Sequence, residues 1–195
     1  MGIEKDPLEW EEVYSEKLVS DEWIEFRRSA YRFPDGTIFE PFYTYSRRDY
    51  VVIVASDEDG KYLCVRQFRQ GIRKVTTEFC AGGIERSDGK QYGGSQDTSS
   101  ENALEAAKRE LREETGYESD DWKYLLTIPS NATIADNYAH LFVAKNCRKV
   151  ASQDLDETEF LNVKLYTADE IEAMISSGEF PQSMHVVAWL LSLRG

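Results

Sequence analysis

A glutamate-rich segment, ALEAAKRELREETGY at residues 103–117, restricts what this chain can fold into more than any other stretch. On an α-helix, Glu113 lies about −60° and Glu114 about +40° from Glu110 around the helix axis. All three glutamates therefore border the apolar stripe of the helix instead of its solvent side. Three carboxylates in a partly buried arc cannot all stay ionised without a counter-charge.

A divalent cation would supply that counter-charge. Hard oxygen ligands select magnesium or manganese, and Ala103, Ala106 and Ala107 leave room for another backbone to approach the helix. The alternative is a solvated helix face, which is the usual origin of runs of Glu, Lys and Arg. The charge pattern alone leaves both interpretations open.

The composition limits the partners of the chain. It has 195 residues, with 36 acidic against 23 basic side chains and a net charge of −13. This length suits one well-cored domain with a small appendage. A field of that sign repels polyanions, so a nucleic acid partner is not expected, whereas a metal ion could still bridge the protein to small phosphates.

The sequence favours a cytoplasmic protein without a membrane partner. No apolar run is long enough to cross a bilayer, and the acidic N-terminus lacks the apolar core of a signal peptide. Cys64 and Cys147 lie in strand-like runs and are interpreted as buried small hydrophobes. Neither a zinc site nor a disulfide framework is predicted, which agrees with a reducing compartment.

Residues 1–47 are predicted to form a small antiparallel β meander, because WIEFRRSAYRF and TIFEPFYTYS alternate on either side of a PDG turn. Six aromatic residues between Tyr31 and Tyr45 exceed what one hairpin can bury. Either the main domain or a second subunit must cover them.

Residues 48–195 mix strand-like and helix-like patterns and predict an α/β (α+β) fold, a three-layer α/β/α sandwich with a mixed sheet. Capping boxes at Thr98–Glu101 and Thr167–Glu170 predict the starts of two helices, and Gly116 and Gly178 predict their ends. A last helix is predicted from about Ser183 to Leu193. The Gly/Ser/Asp-rich stretch at 86–100 predicts a mobile surface loop.

The residues from Glu101 to Tyr117 resemble the second part of the Nudix box, G-x5-E-x7-R-E-U-x-E-E-x-G-U, where U is a bulky apolar residue. So many identities at fixed spacing make a specific signal. Gly82 resembles the first glycine of the box, but it stands nineteen positions before Glu101 where the box needs six. The thirteen additional residues fall in the 86–100 loop, which would border the metal site and affect substrate shape.

A looser resemblance, to the ADP-ribose pyrophosphatase-like branch of the family, covers nearly the whole chain. The stretch VRQFRQGIRKVTTEFCAGGIE is similar to that branch, with Cys80 in place of its usual proline. The resemblance implies a Nudix-type sandwich that uses Mg²⁺, or Mn²⁺ as a substitute. The metal ligands it implies are Glu110, Glu113, Glu114 and the backbone carbonyl of Ala81.

The same resemblance implies roles for other residues. Arg109 would orient the glutamates, and from its position it can pair with Glu105 or Glu113. Arg69 and Glu78 would contact the substrate. The alternatives are that Arg69 is a surface residue at the end of a strand and that Glu78 only accepts a backbone hydrogen bond. Gly116 is a structural C-cap. His140 and His185, both isolated in apolar stretches, are expected to be packed or capping residues.

A general base is expected in SQDLDETEFLNV, a segment that could close over the site. The resemblance falls on Glu157 or Glu159 without deciding between them. The alternatives are a solvated acidic loop, or a metal-bound hydroxide that needs no base.

The implied activity is hydrolysis of a nucleoside diphosphate linked to another moiety X, such as ADP-ribose or a nucleotide sugar, by a homodimer joined through residues 1–47. The segment PSNATIADNYAHLF departs from the ADP-ribose pattern, with Asn131, Asp136 and Asn137 where a proline and an acidic segment are usual. Two alternatives therefore stay open: a Nudix hydrolase of another diphosphate, and a nucleotide sensor without catalysis. All three metal glutamates are present, which disfavours the sensor.

Overall fold

The computed structural model of the protein describes residues 6–86 and 101–194. Its strands and helices, in chain order, are β1 (Glu11–Ser20), β2 (Glu25–Arg32), β3 (Ile38–Ser46), β4 (Tyr50–Asp57), β5 (Tyr62–Arg69), β6 (Lys74–Gly83), α1 (Ala103–Thr115), β7 (Tyr117–Glu118), β8 (Asp121–Pro129), β9 (Tyr138–Lys149), β10 (Leu161–Tyr166), α2 (Ala168–Ser177) and α3 (Ser183–Ser192).

The first three strands form the predicted antiparallel meander, in the order β1-β2-β3. Its aromatic rings pack on one another, with the Trp10 and Phe33 centroids 4.5 Å apart. This packing covers them only in part, since Phe39 remains 52% exposed and β1 is exposed along its whole length. At its end the meander meets the main domain, where the Tyr45 N–H donates to the carbonyl of Ile134 at 2.8 Å.

The main sheet has seven strands in the order β10-β5-β6-β4-β9-β7, with β8 also paired to β9. It is mixed, because β4 and β9 run parallel whereas the other pairs are antiparallel. Strand β6 pairs with β5 up to Phe79 and with β4 from Cys80 onward. The sheet therefore divides at Phe79–Cys80, next to the small residues Ala81 to Gly83.

Helices cover both faces of this sheet. On one face α1 packs Ala106, Ala107 and Leu111 against residues of β4. On the other face, Ile171 of α2 and Trp189 of α3 pack against a second set of β4 residues and Phe79. The alternation along β4, with Val51 and Ile53 on one side and Val52 and Val54 on the other, supplies both cores. The predicted α/β/α sandwich with a mixed sheet is confirmed.

The helix ends follow the sequence signals with one exception. The capping box of Thr167 and Glu170 begins α2, and Gly116 and Gly178 end their helices with φ of 75° and 80°. Helix α1, however, begins at Ala103, because the Asn102 side chain accepts a hydrogen bond from the Leu104 N–H. Thr98 and nearly all of the 86–100 loop lie outside the described residues.

The cysteines agree with their interpretation as hydrophobes. Cys64, Cys80 and Cys147 are buried and form no disulfide. Within the described part of the chain, no helix is long and apolar enough to cross a membrane.

Candidate active site

The predicted glutamate arc lies where α1 faces the divided sheet. Glu110 and Glu114 are 8% and 3% exposed, whereas Glu113, on the outer side of the arc, keeps 38% of its side chain exposed. Alanines and Leu111 on the adjacent stripe are fully buried and pull this side of the helix against the sheet. The helical-wheel prediction is thus correct, and two carboxylates have been carried into the protein interior.

Small residues at the end of β6 make space for these carboxylates. A Cβ atom added to Gly82 would lie 1.9 Å from Cδ of Glu110, so only glycine fits there. The Ala81 N–H donates to a carboxylate oxygen of Glu114 at 3.1 Å. Ala81 and Glu114 are far apart in the sequence, so no local pattern predicts this contact. It forms because α1 packs across β6.

Arg109 binds two of the three glutamates of the arc. Its guanidinium donates to Glu110 and Glu113, both at 2.9 Å, and to the carbonyl of Gly83 at 3.0 Å. Glu101 accepts two further hydrogen bonds from the same guanidinium, at 3.2 and 3.0 Å. Of the two predicted pairings, the structure shows the one with Glu113.

The buried carboxylates hold their protons unusually strongly. Burial raises the pKa of Glu110 to about 7 against the opposing charge of Arg109, and Glu113 and Glu159 add repulsion. Burial likewise raises the pKa of Glu114 to about 8, with a smaller opposing contribution from the Cys80 thiol. For Arg109, burial opposes the charged form, but the hydrogen bond to Glu101 and the charge of Glu110 raise its pKa above the usual value. One arginine therefore does not neutralise the arc.

This charge imbalance is what a hard divalent cation would relieve. The carboxylate oxygens of the arc are hard donors of the kind that magnesium and manganese prefer. Across residues 6–86 and 101–194, no three His, Cys, Asp or Glu side chains are already arranged around a common metal position. In the structure the Arg109 guanidinium lies between Glu110 and Glu113. The residues fit the ion chemically, with Arg109 as the present counter-charge.

The segment that follows β9 is fastened to the end of α1. The Gln153 side-chain amide donates to the carbonyl of Glu114 at 2.7 Å, and the Asp154 N–H donates to that of Glu113 at 2.9 Å. Farther along, Glu159 is half-buried and its charge raises the pKa of both Glu110 and Glu114. Glu157, by contrast, is exposed. Of the two candidate bases, the electrostatics favour Glu159.

A cavity of about 480 Å³ extends from the small residues of β6 toward α3. Its basic lining consists of Arg47, Arg48 and Arg69. Aromatic side chains also face it, and they come from three places in the chain: Trp23, Tyr45 and Tyr50. Arginine guanidinium groups bind phosphate oxygens in a bidentate manner, and rings can stack on a base. The cavity thus combines phosphate-binding groups with a stacking surface beside the carboxylates.

A family model, the NUDIX domain, matches residues 46–189, which is most of the chain. The chain belongs to the Nudix family. The predicted membership of the Nudix family is therefore confirmed. Two of the relatives described next confirm the resemblance to its ADP-ribose pyrophosphatase-like branch.

Three curated relatives of this Nudix protein illustrate the range of the similarity. The chain is 31% identical over 139 residues (71% of its length and 68% of the relative's) to a "Methanol dehydrogenase activator" of Bacillus methanolicus. It is 28% identical over 130 residues (66% and 63%) to an "ADP-ribose pyrophosphatase" of Bacillus subtilis. It is 25% identical over 183 residues (93% and 82%) to an "ADP-ribose pyrophosphatase" of Mycobacterium tuberculosis.

A solved structure described as an "ADP compounds hydrolase" has the same fold. It superposes on this Nudix protein with a TM-score of 0.80 at 19% identity, covering 98% of this chain and 96% of the other. The N-terminal meander is included in this match, because the coverage extends over almost the whole chain.

Two substrate-contact candidates of this Nudix protein form one unit. Glu78 is completely buried and accepts two hydrogen bonds from Arg69, at 2.8 and 3.0 Å. The Thr76 hydroxyl donates to the same carboxylate at 3.2 Å. Arg69 lines the cavity, whereas Glu78 lies beneath it. The geometry indicates that Glu78 positions Arg69.

Sequence reasoning missed Arg48. Its guanidinium lies so close to Gly83 that a Cβ there would approach it to 2.8 Å. Burial lowers the pKa of Arg48, and the charges of Glu110 and Glu85 partly offset this effect. The sequence shows two adjacent arginines, Arg47 and Arg48, just before the first strand of the Nudix core. The contact of Arg48 with Gly83, however, forms only when β4 and β6 pair.

The two histidines of this Nudix protein are packed, as expected. His185 accepts a hydrogen bond from the Phe79 N–H at 3.1 Å, and burial lowers its pKa to about 3. His140 contacts the Thr127 hydroxyl at 2.9 Å through Nδ1 and approaches Asp49 at 3.5 Å through Nε2.

Proposed function

We propose that this Nudix pyrophosphohydrolase hydrolyses a nucleoside diphosphate linked to another moiety X, with ADP-ribose or a nucleotide sugar as the substrate class and magnesium as the cofactor. The observation that carries the proposal is the arrangement of an arginine-lined cavity against two buried carboxylates of raised pKa. The arginines would bind the oxygens of a diphosphate, and a cation held by the glutamates would offset its negative charge. Two of the relatives carry the name ADP-ribose pyrophosphatase, which supports this substrate class.

The protein's part in the reaction is mainly positioning. Glu110, Glu113, Glu114 and the carbonyl of Ala81 would hold the metal, which when bound neutralises the diphosphate and lowers the pKa of a water molecule. Arg69, aligned by the buried Glu78, would orient phosphate oxygens from the opposite side of the cavity. Arg48 lies against Gly83 and interacts electrostatically with Glu110, so it would share the developing charge.

Glu159 would act as the general base. It would take a proton from the attacking water, while a new P–O bond forms and the bridging P–O bond of the diphosphate breaks. For ADP-ribose the products would be AMP and ribose 5-phosphate. A positioned base contributes about 10²–10⁴ in rate, so the Glu159→Gln variant should lose that much turnover, whereas the exposed Glu157→Gln variant is its matched control.

We also propose that the enzyme is a cytoplasmic homodimer in which residues 1–47 contact the partner subunit. The meander supports this arrangement because large apolar side chains on it remain exposed, including Val13, Leu18, Val19 and Phe39. Three unpaired cysteines agree with a reducing compartment.

A substrate panel assayed with magnesium by phosphorus NMR tests the activity. We expect turnover of ADP-ribose or a nucleotide sugar, complete loss with a chelator, and losses of orders of magnitude in Glu113→Gln and Glu114→Gln with folding preserved. Near wild-type turnover of either variant at saturating magnesium would disprove the metal assignment. Binding of the panel without any cleavage would instead indicate the sensor.

A further inference from the structure

Ser130 and Asn137 face each other where the β8–β9 hairpin meets the cavity. The last paired residues of the two strands are Pro129 and Tyr138, and the Ser130 N–H donates to the carbonyl of Asn137 at 3.0 Å. The two residues therefore close the neck of the loop between them. Both line the cavity that holds the arginines.

The side chain of Asn137 has one satisfied end and one unsatisfied end. Its Nδ2 donates to the carbonyl of Arg48 at 3.0 Å, which fixes the orientation of the amide. Its Oδ1 is buried and finds no hydrogen-bond partner among the residues that the structure describes, although Asn137 is only 6% exposed. A buried amide oxygen without a partner is unfavourable, so a donor from a ligand would relieve it.

Ser130 adds a second polar atom beside the first. Its hydroxyl oxygen is buried and has no hydrogen bond of acceptable geometry within the described parts of the chain. The neighbouring Tyr50 phenol has a pKa that burial raises and that the Ser130 hydroxyl partly lowers, so the two hydroxyl groups are close. A serine hydroxyl can either donate or accept. The pair thus suits a group that also does both.

The cavity has cationic side chains and neutral polar side chains, which suit different groups of a ligand. Arg47, Arg48 and Arg69 carry the positive charge of the cavity and suit phosphate oxygens. Asn137 is neutral, so it does not compete with the phosphates for these arginines. A neutral hydroxyl group, which donates to Asn137 Oδ1 and exchanges a hydrogen bond with Ser130, is the complementary ligand.

We infer that Asn137 and Ser130 bind a sugar hydroxyl of the substrate, on the nucleoside ribose or on X, and so select sugar-bearing diphosphates. This inference rests on the proposed function and names the specificity determinant of the same cavity. It assigns discrimination among substrates to the β8–β9 loop neck.

Equilibrium binding of the non-hydrolysable α,β-methylene analogue of ADP-ribose, measured with magnesium by titration calorimetry, tests the inference separately from turnover. Ser130→Ala and Asn137→Ala should each weaken binding by about 5- to 100-fold. Ser130→Ala leaves the hydrogen bond between Asn137 Nδ2 and the Arg48 carbonyl in place, so its effect does not include the loss of that contact. Asn162→Ala, at an exposed position of β10, is the matched control and should bind normally.

Analogues that lack single hydroxyl groups identify the source of the contact. The analogue without the contacted hydroxyl should bind wild type weakly and lose nothing further in the variants, and deoxy positions on the nucleoside and on X distinguish the two sugars. Equal losses on every analogue, or no loss in either variant, would overturn the inference. Hydroxyl-dependent binding without hydrolysis of any parent compound would sink the proposed function and leave the recognition pair standing.

Discussion

Gly82 is the residue on which the glutamate arc most directly depends. A methyl group at this position would overlap the Glu110 carboxylate, which is itself held by Arg109 and buried against the sheet. Gly82→Ala should therefore displace Glu110, lower turnover by at least tenfold and cost about 1–3 kcal/mol of unfolding free energy. Gly71→Ala is the matched control, because nothing lies within 4 Å of its added methyl group. Equal activity and equal urea midpoints in the two variants would contradict this account of the site.

His185 should make the protein sensitive to acid. Its pKa is lowered to about 3 in the folded protein, first by burial and then by the charge of Arg69, from an ordinary value of 6.5. Because the folded-state pKa is depressed, the neutral ring contributes stability above pH 6.5, and this contribution is lost as the pH falls toward 3.

The His185→Asn variant isolates that contribution, since asparagine can still accept the hydrogen bond from the Phe79 N–H. Urea unfolding from pH 7.5 down to pH 4.5 should show wild type losing its advantage over the variant by up to about 1.4 kcal/mol per pH unit. Carboxylate titration affects both proteins alike and cancels in the difference. A difference that stays constant with pH would show that His185 does not titrate as described.

At this scale the sequence predicted the residues of one helix better than the residues of the cavity. Glu110, Glu113 and Glu114 share a helix, so local periodicity alone placed them on one side. Arg48 and Asn137, by contrast, come together only because β4 lies beside both β6 and β9, and the bond between Asn137 and the Arg48 carbonyl spans 89 positions. No local pattern encodes such a contact.

At the scale of elements, the end of α1 is coupled to the segment that carries Glu159. Gly116 ends the helix in the left-handed conformation, and its carbonyl accepts hydrogen bonds from Val150 and Ala151. A Cβ at Gly116 would lie 2.2 Å from the carbonyl oxygen of Ala151. Gly178 ends α2 with nearly the same φ, yet nothing lies within 4 Å of an added Cβ.

These two glycines form a matched pair for mutagenesis. Gly178→Ala should cost about 1–2 kcal/mol, the strain of a left-handed non-glycine residue. Gly116→Ala should cost more and also reduce turnover, because the displaced 150–154 segment leads to the candidate base. The test is to measure the unfolding free energies and the kcat values of the two variants. Identical effects would rule out a coupling between the end of α1 and the segment that carries Glu159.

The element boundaries show which local signals are sufficient. A capping box and a left-handed glycine define α2 without help from the rest of the fold, and both were read correctly. For α1 the predicted capping box of Thr98 and Glu101 is wrong, since Asn102 caps the helix. Glu101 instead accepts hydrogen bonds from Arg109 and from the Glu85 N–H. The two-residue β7 was missed, since so short a strand exists only through pairing with β9.

On the scale of the whole molecule, charge is separated between the surface and the cavity. The chain carries a net charge of −13, yet three arginines line its cavity of about 480 Å³. Overall composition predicted the sign of the field and the need for a cation, but it could not reveal a local basic site. The layer architecture, in contrast, followed from the order of patterns along the chain, because few topologies accommodate that order.

The oligomeric state gives the last prediction. Large apolar side chains on β1 and β3 stay exposed in a single chain, and a lone three-stranded sheet exposing them is expected to associate. Light scattering should therefore show twice the 22.4 kDa mass of one chain at micromolar concentration. Leu18→Glu and Phe39→Glu should each shift the protein toward the monomer, because a charge inside an apolar interface is costly. Leu193→Glu places the same charge at a 52% exposed site at the end of α3 and should leave the dimer intact. A fully active wild-type monomer would remove the proposed interface, and dissociation by Leu193→Glu alone would move it to the α3 end of the molecule.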